Sequence, residues 1–131
     1  MREKPLILVV DDEKDLLEIM FTALISAGFD VVVAHDGQEA VDAAVKVQPD
    51  LILMDVRMPG QTGTDAALAI KQNPQTKNIK IAFLSNMRDP WPATRTDRVG
   101  LSKELGMEDY IDKAEDLDLT VKKVREILAR K

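Results

Sequence analysis

Short aliphatic runs alternate with longer amphipathic stripes along almost the whole chain. The runs are Leu6 to Val10, Val31 to Ala34, Leu51 to Met54, Ile79 to Leu84 and a weaker Tyr110-Ile111. Unbroken apolar runs of this length fit strands covered on both faces, as in a parallel sheet. The stripes recur at helical spacing. Leu16, Met20, Ala23, Leu24 and Ala27 form the first, with Gly28 where a helix would stop. Ala40, Ala43, Ala44 and Val47 form the next, with Pro49 beyond, and Ala66, Ala69 and Ile70 another, closed by Asn73-Pro74. Leu117, Val121, Val124 and Leu128 form the last, and a poorer pattern over 91–105 suggests a helix in its second half. The order is β-α five times over, which implies a parallel sheet with helices on both faces. A first helix on one face and later ones on the other give strand order 2-1-3-4-5.

The totals exclude several functions. With 131 residues the chain suits a single domain, with no sign of an interdomain linker or an effector domain. The net charge of −5 makes it a poor general nucleic-acid binder. The absence of cysteine removes disulfides, thiolate metal sites and cysteine nucleophiles. Its first apolar run is too short for a signal-peptide core or a membrane span, so a cytoplasmic protein without membrane contact is the expectation.

Chemistry falls at the strand ends, where ligands of open α/β sheets bind. The first run ends in Asp11-Asp12, the third in Asp55, the fourth in Ser85-Asn86 and the fifth in Asp112-Lys113. In the expected order, strands one and three are neighbours, so the three aspartates should meet. Two carboxylates about 4 Å apart repel by roughly 4 kcal/mol at an intermediate dielectric. A divalent cation would relieve that repulsion, and Lys113 part of the remainder. Oxygen-only donors favour a hard ion, and magnesium fits best because it uses one or two carboxylates plus water and phosphate. A carboxylate on such a site can also be a nucleophile that forms an acyl phosphate. Asp55 stands alone at the sheet centre and suits that role, while paired Asp11 and Asp12 suit the ion. Lys113 and the Ser85 hydroxyl would face phosphoryl oxygens.

Taken together, Leu8-Val9-Val10-Asp11-Asp12-Glu13, Asp50-Leu51-Ile52-Leu53-Met54-Asp55, Arg57-Met58-Pro59-Gly60 with Gly63, Leu84-Ser85 and Tyr110-Ile111-Asp112-Lys113 resemble the receiver domain of two-component response regulators, over essentially the whole length. The resemblance implies a flavodoxin-like (βα)5 three-layer sandwich of the stand-alone, chemotaxis-receiver kind. It implies that Asp55 accepts a phosphoryl group from a sensor histidine kinase, a phosphotransfer protein or a small donor, with Mg2+. Asp12 and Asp55 would bind the ion through side chains, Asp11 mainly through water, and Arg57 through its backbone carbonyl. Ser85 and Tyr110 would form a switch pair that remodels the surface of the family's fourth helix, fifth strand and fifth helix. Output would pass to a downstream protein partner, or through a homodimer on that surface. The chain would be a phosphoacceptor and not a turnover enzyme on an external substrate.

Three features depart from the family pattern. Asn86 stands where a small residue is usual, which predicts a narrower approach to Asp55 and slower phosphoryl exchange. Ala114 replaces the proline that usually follows the lysine in a cis bond, so a trans bond is expected, since a cis bond without proline costs about 2.5–4 kcal/mol. The segment 86–98 lengthens the connection after the fourth strand. The Arg57 side chain sits at a position that the family ties to the lifetime of the phosphorylated state.

Plainer readings of single residues remain. Asp11-Asp12 could cap the following helix, and Tyr110 could be core. His35 reads as a solvated strand-end histidine and Trp91 as packing under a long loop. Lys122, Lys123, Arg125, Arg130 and Lys131 read as the wet face of the last helix. The competing functions are a phosphorylation-independent interaction scaffold on the same fold, an aspartate-nucleophile phosphatase, which would usually want an acid where Arg57 stands, and a flavin binder, whose phosphate the Asp-rich first turn would repel.

Overall fold

The computed structural model describes residues 3–56, 63–85, 109–113 and 116–130, and of Thr64, Ser85, Asp109 and Tyr110 only the backbone. Five strands form one parallel sheet: β1 (Leu6–Val10), β2 (Asp30–Ala34), β3 (Leu51–Asp55), β4 (Lys80–Ser85) and β5 (Asp109–Asp112), in order β2-β1-β3-β4-β5. Among the described residues four helices accompany them: α1 (Lys14–Ser26), α2 (Gly37–Val47), α3 (Gly63–Gln72) and α4 (Leu117–Ala129). The helix expected in the second half of 91–105 lies outside the described residues, as do Arg57, Asn86, Trp91, Ala114 and the long connection.

Strand alternation divides the core. Leu8, Val10, Ile52, Met54, Ile81 and Phe83 point to one face, where Ala40 and Ala44 of α2 and Ala66, Ala67 and Ile70 of α3 meet them. Ile7, Val9, Leu51, Leu53, Ala82, Leu84 and Ile111 point to the other, against Leu17, Met20 and Leu24 of α1 and Val124 and Ile127 of α4. Two dry layers around one sheet explain why β1 and β3 read as unbroken apolar runs. Apart from Leu6, which is half-buried, every residue of these two strands is buried. The edge strand β2 differs from that expectation. Asp30 is exposed and Val31, Val32 and Val33 are only half-buried, because no strand pairs with its outer side.

Helix ends follow local chemistry. Gly28 holds a left-handed φ of 98° just beyond α1, a conformation glycine adopts without a Cβ penalty. Asp36 caps α2, its carboxylate accepting the Glu39 N–H at 2.8 Å. The α4 stripe is broader than the sequence pattern, since Thr120, Val124 and Ile127 are fully buried while Leu117, Val121 and Leu128 are half-buried around them. Among the described residues no helix is long and apolar enough to cross a membrane.

Candidate functional site

The chain leaves β1 through α1 toward β2, then returns through α2 to β3, so the winding reverses between β1 and β3. Such a reversal opens a crevice beyond the carboxyl ends of those two strands. Asp11 enters it directly from β1. Its N–H donates to Ala34 O at 3.1 Å, which extends the β1–β2 ladder by one residue. Its side chain then turns the chain into α1, with Oδ1 accepting the Glu13 N–H at 2.9 Å. Glu13, not Asp11 or Asp12, is the N-cap residue of α1, and its own side chain makes no capping bond. The plainer reading of the Asp pair as a helix cap is therefore only half met, by one hydrogen bond just outside the helix.

Asp55 enters from the end of β3 and is 1% exposed, and Asp11 is fully buried. Asp12 is exposed beside them. One carboxylate oxygen from each of the three lies within 4.8 Å of the others. Lys113 arrives from the end of β5, with Nζ 2.9 Å from Asp11 Oδ2 and 3.1 Å from Asp55 Oδ1. Burial of Lys113 works against its charge, but the hydrogen bond to Asp11 and the charges of Asp55 and Asp11 outweigh it, and its pKa is raised above the ordinary lysine value. The ammonium is thus held charged between two buried carboxylates, and the group as a whole keeps an excess of negative charge.

The donor set fits a hard divalent cation. All three donors are carboxylates, two of them buried and one open to solvent, so protein oxygens line one side and water or a phosphate reaches the other. The backbone of Ser85 ends β4 opposite Asp112, and Tyr110 lies opposite Phe83. Their side chains, and the carbonyl of Arg57, fall outside what the structure describes. His35 is half-exposed, with Nδ1 3.2 Å from Glu39 Oε2 on the same turn.

Two contacts escape the sequence pattern. Arg125, read as part of a wet face, donates to Ala27 O at 3.0 Å and lies over the Phe29 ring, which ties α4 to the end of α1. Gly63, the first residue of α3, packs on the carbonyl of Asp55 itself, and a Cβ built there would lie 1.8 Å from that oxygen. The motif that carries the resemblance includes Gly63 but assigns it no contact.

Comparison with known proteins agrees with this geometry. A family model described as the response regulator receiver domain matches residues 7–125. The transcriptional regulatory protein CpxR of Escherichia coli (strain K12) is 37% identical over 124 residues, covering 95% of this chain and 49% of that protein. The chain therefore spans about half the length of the curated relatives it matches. Among solved structures, a response regulator from Chloroflexus aurantiacus J-10-fl superposes with a TM-score of 0.86 at 30% identity, covering 98% of this chain and 100% of that one. The chemotaxis protein CheY4 of Vibrio cholerae superposes at 0.83 with 27% identity, covering 95% and 98%. Fold, strand-end chemistry and sequence match converge, and the chain belongs to the receiver-domain family of two-component response regulators.

Proposed function

We propose that this chain is a phosphoacceptor, with Asp55 as the acceptor and Mg2+ held by Asp11, Asp12 and Asp55. The observation that supports this reading most is the convergence of those three carboxylates within 4.8 Å while Lys113 Nζ stands 3.1 Å from Asp55. An Asp55 carboxylate oxygen attacks the phosphorus of a phosphohistidine on a sensor kinase or phosphotransfer protein. The P–N bond breaks, its electron pair stays on the imidazole, and the product on Asp55 is an acyl phosphate. When bound, magnesium supplies the positive charge that neutralises phosphoryl oxygens during transfer. Lys113 turns one of its N–H donors to a phosphoryl oxygen, and the Ser85 hydroxyl serves another.

Ser85 and Tyr110 then act as the switch pair. The fifth strand and its flanking helices present a changed surface to a downstream protein partner or a second copy, so the phosphorylated state is read by contact. The test is incubation with acetyl phosphate and magnesium, followed by intact mass. The wild type gains one phosphoryl group and Asp55→Asn gains none. A wild type that gains nothing would make the chain a scaffold, and a labelled Asp55→Asn would move the acceptor elsewhere.

A further inference from the structure

Three backbone contacts hold the chain at Asp55 and Val56. The Val56 N–H donates to Leu84 O at 3.2 Å, the Gly63 N–H donates to Val56 O at 3.0 Å, and Gly63 lies against the Asp55 carbonyl. Gly63 is buried. A Cβ at that position would fall 1.8 Å from Asp55 O, 2.7 Å from its carbonyl carbon and 2.9 Å from Val56 Cα, all backbone atoms that cannot swing aside. Space, and not an unusual φ, is what requires glycine here. Helix α3 therefore starts on the acceptor's own peptide group, and the strand end can lie where it does only because residue 63 has no side chain.

We infer that Gly63 is a positioning residue for Asp55: its bare Cα packs on the Asp55 carbonyl and its N–H holds Val56 O, and together they fix the strand end that aims the carboxylate at the phosphoryl donor. This inference rests on the phosphoacceptor reading of Asp55. A side chain at 63 must displace either the 55–56 peptide or the start of α3. A misplacement of about 1 Å at a reacting group costs on the order of 100-fold in rate.

The test compares wild type, Gly63→Ala and Ile70→Ala, the last a core truncation about two turns further along the same helix. Labelling by acetyl phosphate is followed against donor concentration at saturating magnesium, with thermal unfolding of each protein alongside. The expected result is a fall of about 100-fold in the maximal labelling rate of Gly63→Ala, while Ile70→Ala is less stable yet labels at the wild-type rate. A Gly63→Ala protein that labels like wild type, or is slowed no more than Ile70→Ala, overturns the inference and leaves the phosphoacceptor reading intact. A wild type that takes no label overturns that reading, and this inference with it. If Gly63→Ala does not fold, the wild-type amide resonance of Gly63 decides. It should shift when magnesium and then acetyl phosphate are added, in step with label uptake, and a resonance that stays still while Asp55 is labelled overturns the inference.

Discussion

Lys113 is where the charge balance of the site is set. It is 15% exposed, and its partners Asp11 and Asp55 are more deeply buried still. Replacing it by alanine leaves two buried carboxylates facing each other without a cation. Breaking a buried pair in this way costs about 3 kcal/mol, the low end of the usual range because the lysine retains some solvent contact. Urea denaturation of Lys113→Ala in metal-free buffer at neutral pH should show that loss, and magnesium should recover part of it. The aspartates and the lysine were legible in the sequence because each stands within two residues of the end of an apolar run, and a charge at that point has few structural reasons to be there. Gly63 was legible only as a motif glycine, since its contact with the Asp55 carbonyl has no signal in the sequence. Arg125 and Lys80 were also missed. Arg125 reaches Ala27 O, and Lys80 Nζ reaches Ile127 O at 2.9 Å and also Arg130 O. Those partners lie 98, 47 and 50 residues away in sequence, and no local pattern encodes them.

The helices differ in how they begin, and so in what their first residues do. Asp36 is a cap, bonded to the Glu39 N–H, and is not one of the three carboxylates of the acidic cluster. Asp36→Ala should cost about 1 kcal/mol, read as a lower unfolding midpoint, and leave labelling by acetyl phosphate unchanged. Helix α1 has no such cap of its own, and Asp11 accepts the Glu13 N–H instead. Asp11 is thereby tied both to the start of a helix and to the acidic cluster, so Asp11→Ala should weaken the two together. Strand ranges were readable to within a residue or two because both faces of β1, β3 and β4 are dry. The half-buried state of β2 was not, because an edge strand carries the same valines as a central one and differs only in lacking a neighbour.

Across the whole molecule, strand order follows from alternation and handedness. Right-handed crossovers with α1 and α4 on one face and α2 and α3 on the other leave the winding to reverse at β1 and β3. The acidic cluster sits at that reversal, so one ion bound there would tie the ends of two strands together. At a magnesium concentration about 100-fold above its Kd, the wild type should gain about 2.7 kcal/mol of stability through mass action. Asp55→Asn, with one charged donor fewer, should gain clearly less, and equal gains in the two proteins would place the ion elsewhere. What local pattern did not supply at this scale is the face of the last helix: expected with the later helices opposite α1, it packs instead beside α1, where Val124 and Ile127 of α4 share a core with Leu17, Met20 and Leu24.

The most direct measurement is to trap the product chemically and find its position. The chain is incubated with acetyl phosphate and magnesium, reduced with borohydride to convert an aspartyl phosphate to homoserine, digested and sequenced by mass. Homoserine at position 55, dependent on magnesium and on the phosphodonor, is the expected result. Reduction at another aspartate, or none at any position despite a bound ion, would contradict the assignment of Asp55 as the acceptor.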